Sequence, residues 1–313
     1  MTDEVSWRPT ASIATLQARA RLLRAARAFF DQREILEVEV PLLQGGANLD
    51  RGVTPVAVPV DGSRRWLPTS PEHPLKRLLA AGSGDVWAQC PCARSAEIGH
   101  YHAPVFSMLE WYRLGWDHHQ LAAETVALLD CLTGLGTQTQ TVTYQAIMTA
   151  HAGIDPFDSS DADLRNALGD AADAARDRNE MLDLILSLQV QPALPSECWT
   201  VVIDWPPEQA AQARIIGNPP RAARFEVYRG PLELANGYHE CTDGAELALR
   251  LSAEQGHPDR ERLDIDRDLR FEAAMAAGLP DCSGVALGFD RVVMVATGAP
   301  DLRSVQAFGW DRA

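Results

Sequence analysis

The chain has 313 residues, enough for one large domain or two ordinary ones with a substantial buried core. Its 46% hydrophobic and 23% charged residues are those of a water-soluble globular protein. No apolar run is long enough to span a membrane, and MTDEVSWRPT lacks the basic start and apolar core of a secretory signal, so a cytoplasmic location is expected. The formal net charge of −15 argues against broad, nonspecific binding to nucleic acid. Lys76 is the only lysine, a bias that the base composition of a genome is enough to produce. The six cysteines are scattered along the chain and read as reduced thiols rather than a disulfide framework.

In chain order, residues 12–31 carry apolar positions at helical spacing and predict a long amphipathic helix. ILEVEV follows, alternating from Leu36 to Val40 as a half-buried strand does, and Pro41 ends it. VTPVAVPV and RRWLP predict short paired strands. SPEHPLKRLLAAG predicts a helix with Ser70 as N-cap, Pro71 at its first position and Gly82 closing it. VWAQC and PVFSMLEWYR predict two strands joined by a loop from Arg94 to His102. From Asp117 to about Leu188 the signal is mainly helical, with breaks at 153–156 and 158–160, which makes this stretch a candidate insert. TVVID, ARFEVYRG and PLELANGYHE return to strands, Ala245 to about Gln255 and DLRFEAAMAAG to helices, and SGVALGFDRVVMVATG closes the chain. Strands at both ends with helices between, and no βαβ alternation, predict an α+β fold around an antiparallel sheet.

Three separated segments resemble, in order, the motifs of the class II aminoacyl-tRNA synthetase catalytic domain. EVEVP is similar to motif 1, CARSAEIGHYHAPVFSMLEWYR to motif 2 and GVALGFDRVVM to motif 3. TSPE, MLEWYR, ELANGYHECTD and GLPDCSGVALGFDR resemble one branch, the lysyl-tRNA synthetase paralogues that attach (R)-β-lysine to elongation factor P. The resemblance implies one synthetase-like domain over 1–313: motif 1 at about 35–41, motif 2 at about 86–113, a helical insert at about 117–190 and motif 3 at about 284–296. It implies a homodimer built on the strand ending at Pro41. The helix before motif 1 starts by residue 12 and leaves no room for an anticodon-binding barrel, so a protein acceptor rather than tRNA is expected.

Activating a carboxylate with ATP needs arginines and divalent ions against the phosphates, in a site that largely excludes water. The resemblance puts Arg94 and Arg291 in the catalytic role. It assigns ATP binding to them and to Ser95, Ala96, Glu97, Ala103, Glu233, Leu234 and Gly288. Mg2+ bound with ATP would take carboxylates from Glu233 and Glu240, which lie seven residues apart and on a regular strand would face opposite ways. Either a bulge near Gly237 re-aims one of them, or the two do different jobs; the resemblance implies that the first binds metal and ATP and that the second helps to hold the substrate amino group. Ser70, Pro71, Glu72, Tyr112, Asn236 and Glu240 match the positions that bind (R)-β-lysine or a lysine-like amino acid, whose two ammonium groups call for carboxylates.

Motif 2 departs from the family pattern. The glutamate that follows its arginine by two residues, and contacts adenine, is Ala96 here, with Glu97 one place late; a slip of one reverses the face of a strand. His-Asn-Pro-Glu-Phe has become His102, Ala103, Pro104, Val105, Phe106. Three readings follow: a β-lysine ligase retuned in its ATP contacts, an adenylate-forming ligase for another amino acid or carrier, or a synthetase-like protein that binds without catalysing. Cys90, Cys92, His100 and His102 also carry zinc-ligand chemistry, but at an unfamiliar spacing, and the cysteines serve equally as small buried hydrophobes.

Overall fold

The computed structural model describes residues 7–48, 50, 52–95, 97–136, 138–256 and 264–313. Its frame is a nine-stranded sheet in the order β1-β4-β5-β11-β10-β9-β7-β6, with β8 paired to β9. The strands are β1 (Leu36–Glu37), β4 (Val86–Ala93), β5 (Val105–Leu114), β6 (Thr139–Thr143), β7 (Trp199–Trp205), β8 (Ile215–Ile216), β9 (Arg221–Arg229), β10 (Leu232–His239) and β11 (Cys282–Gly288). β2 (Ala57–Val60) and β3 (Ser63–Trp66) form a separate hairpin. Only the outermost pairs, β1 with β4 and β6 with β7, run parallel; all others are antiparallel.

One face carries the first helix, α1 (Ile13–Asp31), with α3 (His118–Thr133) and α9 (Phe289–Thr297). Ser12 caps α1 by accepting from the Thr15 amide at 3.1 Å, one of the donors a helix start leaves unsatisfied. The helix buries Ala26, Phe29 and Phe30, and Phe30 stacks on Trp87 with ring centres 4.5 Å apart. Burying a side chain of that size contributes roughly 1.5–3 kcal/mol. On the other face of β4 and β5, Leu75 and Leu79 of α2 (Glu72–Ala80) pack with Leu247 and Leu251 of α7 (Gly244–Gln255) and with Phe271 and Met275 of α8 (Leu269–Ala277). Helices α4 (Tyr144–Ala152), α5 (Asp161–Leu168) and α6 (Arg178–Ile185), followed by a π-helical turn at Leu186–Val190, build a third core against β7 and β9.

Several expectations change in detail. The regular strand at motif 1 is only Leu36–Glu37; Val38 adds one bond, from its amide to the Trp87 carbonyl, before Pro41 turns the chain away. The stretch read as mainly helical contains β6, and α3 belongs to the main core. Helix α2 starts one residue late: Pro71 is its cap, and the Ser70 hydroxyl accepts only a long bond, 3.4 Å, from the Glu72 amide. The irregularity in β10 falls between Glu233 and Ala235 rather than at Gly237. Gly237 is required for another reason: a Cβ there would lie 2.5 Å from the Phe225 ring and 2.9 Å from the Gly284 carbonyl oxygen.

Candidate active site

A cavity of about 610 Å3 opens over β5, β9, β10 and β11, roofed by the loop after β4 and by α7. That is the size of a small-molecule site. Of the residues singled out from sequence, Ser70, Glu72, Arg94, Glu97, Ala103, Tyr112, Glu233, Leu234, Asn236, Glu240, Gly288 and Arg291 line it. Pro71 and Ser95 do not: Pro71 is buried at the start of α2, and Ser95 is exposed, its amide bonded to the Thr54 carbonyl at 2.7 Å. Ala96 lies outside the described residues.

The two arginines are held in different ways. Arg291, in the first turn of α9, donates from Nη1 to the Glu233 carbonyl at 2.7 Å and from Nε to the Tyr101 carbonyl at 3.3 Å. Its Nη2 lies 2.9 Å from His102 Nε2. A guanidinium only donates, so this His102 nitrogen must be the acceptor and the ring is neutral with its proton on Nδ1. Burial, and then the Arg291 charge, lower the His102 pKa in agreement. The Glu233 carboxylate is half-buried, 3.6 Å from Arg291 Nη1. Arg94 donates from Nε to the Thr69 carbonyl at 3.2 Å, lies 5.0 Å over the Phe106 ring, and makes a loose 3.8 Å ion pair with Glu97. Glu97 thus lies in the loop beside Arg94, where strand alternation does not govern which way it points.

A second grouping contains most of the buried charge. Lys76 Nζ, 1% exposed, sits 2.7 Å from Glu72 Oε1, 2.9 Å from Gln212 Oε1 and 2.7 Å from Glu240 Oε2. Burial opposes the Lys76 charge, but Glu240 and Glu72 outweigh it and raise its pKa. Burial alone would raise Glu72; Lys76, His73 and the hydrogen bond from Asn48 bring it below its ordinary value. For Glu240 burial wins over Lys76, and its pKa is pushed up to about 7. The Asn48 amide nitrogen bridges Glu72 Oε2 at 2.9 Å and Asp50 Oδ2 at 2.8 Å. On β5, Tyr112 donates to Glu110 Oε1 at 2.8 Å, while Glu110 Oε2 makes no hydrogen bond within the protein. Burial, followed by the Glu72 charge, holds Glu110 well above the carboxylate range. On β9, Glu226 takes hydrogen bonds from Arg224, Tyr228 and Asn236, and burial raises it to about 7. Asn236 Oδ1 is left as a buried acceptor without a partner in the protein.

Some of these residues escaped the sequence reading. Glu110 shares a strand face with Tyr112, and Arg224, Glu226 and Tyr228 alternate with buried Phe225 and Val227, so period-two patterning was the available signal. Nothing in the sequence marked Asn48, Asp50 or Gln212. The separation of Glu233 and Glu240 has a structural cause. A bulge at Leu234 and the end of β10 at His239 bring both to one cavity, yet Glu233 faces the arginine and Glu240 the lysine. Cys90 and Cys92 pack with Met108 in a small apolar cluster, and among the described residues no three His, Cys, Asp or Glu side chains converge as metal ligands.

The chain matches the family described as tRNA synthetases class II (D, K and N) over residues 4–312. It is 40% identical over 324 residues to the elongation factor P–(R)-β-lysine ligase of Vibrio cholerae, covering 98% of each chain. The same comparison with the ligase of that name from Salmonella gallinarum gives 40% identity over 335 residues, and with that from Sodalis glossinidius 39% over 328, covering 100% of each chain.

Proposed function

The chain belongs to the class II tRNA synthetases of the D, K and N group, and from that membership we propose that it is an ATP-dependent ligase for (R)-β-lysine. It activates the amino acid as its adenylate and transfers it to a lysine side chain of elongation factor P in the cytoplasm, without tRNA. The observation that carries this reading is the charge pattern of one cavity. Two arginines and a half-buried glutamate form one grouping, and Glu72 and Glu240, paired with the buried Lys76, form another with Asp50 and Glu110 on the same cavity. The first suits phosphates and the second an amino acid with more than one ammonium group.

In the first step the substrate carboxylate oxygen attacks the α-phosphorus of ATP, and pyrophosphate leaves. Arg94 and Arg291 neutralise charge on the phosphates, Arg291 with little reorganisation because the Glu233 and Tyr101 carbonyls already fix it. Mg2+, which with ATP needs one or two carboxylates beside the phosphates, would be held by Glu233 and would supply further positive charge there. Glu240, buried against Lys76, suits an ammonium better than a hydrated cation. Glu72, Tyr112, Glu240 and Asn236, with Glu110 between them, position the amino acid; Ser70 and Ala103 contribute walls. In the second step the acceptor amine, once deprotonated, attacks the adenylate carbonyl and AMP leaves. Glu97 beside Arg94 supports retention of a nucleotide site despite the alanine at 96. The exposed edge at β1 supports a homodimer.

Pyrophosphate exchange tests the reading. Exchange that requires (R)-β-lysine and falls roughly 100- to 1,000-fold in Arg291→Ala is the expected result. Exchange with another amino acid would move the substrate assignment. Binding of β-lysine with no exchange would make the protein a binder rather than a ligase.

A further inference from the structure

A second cavity, of about 430 Å3, lies between the loop after β1, strand β3, helix α2 and the start of α8. Its charged lining is Arg65, Arg77, Arg270 and Asp268. The Asp268 carboxylate is already in use: Oδ1 caps α8 by accepting from the Arg270 and Phe271 amides at 3.1 and 3.0 Å, and Oδ2 faces His73 Nδ1 at 3.3 Å. Among the described residues, none of the three guanidinium groups forms an ion pair or donates a hydrogen bond. Their neighbours differ. Arg64, beside Arg65 in sequence and on the opposite face of β3, is paired with Asp264 at 2.9 Å and Asp266 at 2.8 Å. Arg267, shortly before Arg270, is paired with Glu272 at 2.5 Å. Carboxylates are thus supplied to the adjoining arginines and withheld from those that line the cavity, in a chain whose net charge is −15.

The cavity arginines are also brought together. Gln44 and Trp66 exchange backbone hydrogen bonds of 2.9 and 3.0 Å, which lays the loop after β1 along β3. A Cβ on Gly45 would then meet Arg270 Nη1 at 3.3 Å and Arg65 Nη1 at 3.5 Å. Guanidinium groups from β3 and from α8, far apart in sequence, therefore border the same small space. Like charges so placed repel, and an anion between them turns that cost into attraction. One carboxylate matches one guanidinium fork; an anion gripped by several arginines needs oxygens facing several ways, as a phosphoryl group has.

We propose that this cavity is an anion site for a phosphoryl group, free or at the end of a small metabolite, held by Arg65 and Arg270 with Arg77 as the third cation. It is separate from Arg94 and Arg291, which line the active-site cavity. An anion held there joins β3 and α8 to α2, the helix that carries Glu72 and Lys76.

The test is calorimetric titration of inorganic phosphate and of glycerol 3-phosphate, with acetate as the carboxylate comparison. Each is titrated into the full-length protein, into the Arg65→Ser, Arg270→Ser double variant and into Arg291→Ala. The expected result is saturable phosphate binding to the wild type that persists in Arg291→Ala and weakens roughly tenfold in the double variant, with acetate weaker than phosphate throughout. Tighter binding of glycerol 3-phosphate than of phosphate supports a phosphoryl group carried on a larger molecule; equal binding supports the free anion. The double variant loses no hydrogen bond or ion pair within the described chain, so its thermal unfolding without anion should match the wild type. If it does not fold, Arg77→Ser carries the same comparison and should weaken phosphate in the same direction. Phosphate affinity unchanged in the groove variants overturns the site. So does loss in Arg291→Ala alone, which would put the anion in the active site, and so does acetate binding as tightly as phosphate. A wild type that binds no phosphate at millimolar concentration overturns it as well.

Discussion

At the scale of single residues, Lys76 reverses what composition alone suggests. Among 28 basic Lys and Arg residues it is the only lysine, and composition gives no reason to attach chemistry to it. Yet it is the cation buried between Glu72 and Glu240, and the geometry explains why an arginine does not serve. An ammonium is a point donor with three N–H bonds, and three acceptors surround it within 2.9 Å. A guanidinium spreads its donors over a planar fork and needs more volume. Half of this was visible in the chain, since Glu72 and Lys76 are four apart on a helix; the Glu240 contact is long-range and was not. Lys76→Arg is expected to lower stability by about 1–3 kcal/mol through overpacking, and to weaken β-lysine binding at least about tenfold by misplacing the carboxylates. Thermal unfolding and calorimetry of the purified variant read both. Wild-type values would mean that position 76 requires only a positive charge.

At the scale of elements, period-two patterning located the strands, and close backbone approach explains where they hold the site. Gly284 on β11 lies opposite Tyr112 of β5 and Tyr238 of β10, in the middle of the sheet. A Cβ there would come within 2.1 Å of a Tyr112 ring carbon and 2.7 Å of Glu240 Oε1. A central strand cannot shift to make room, so Gly284→Ala must displace both of these cavity-lining side chains. It should abolish measurable amino-acid binding and destabilise the fold by about 1–3 kcal/mol. Gly256→Ala is the control: there a Cβ would meet only carbonyl oxygens at 3.6 and 3.7 Å, and both properties should stay as in the wild type. If Gly284→Ala binds β-lysine normally, the packing of Tyr112 and Glu240 against this glycine does not shape the pocket. What patterning missed has the same origin in neighbours. TQTVT becomes β6 because β7 offers it a free edge, and the bulge at Leu234 depends on the register with β9. Helix α1, by contrast, was legible because Ser12 and its apolar stripe lie within the segment itself.

At the scale of the whole molecule, the motifs recognised along the chain become neighbours in space. β1, β4, β5 and β11, which carry motifs 1, 2 and 3, are consecutive strands, and β10, which carries Glu233 and ends one residue before Glu240, lies beside β11. Motif order was readable from sequence; the adjacency comes from a sheet order that no local pattern encodes. This arrangement leaves motif 1 at the edge, where β1 pairs on one side only and Leu36, Leu42 and Leu43 are 51%, 54% and 43% exposed. An exposed apolar edge of this kind invites pairing with another chain. In a two-fold dimer the same patch is used by both copies, so each leucine is buried twice. Fully burying one leucine side chain contributes about 1.5–3 kcal/mol, so charging two of them should remove most of the drive for association. Sedimentation velocity at micromolar concentration is therefore expected to give a dimer for the wild type and a monomer for the Leu42→Asp, Leu43→Asp double variant. Both side chains are about half exposed within one chain, so the variant monomer should keep its helix and strand content by circular dichroism. A wild-type monomer, or a double variant that still dimerises, would place the interface elsewhere and leave these leucines without a partner.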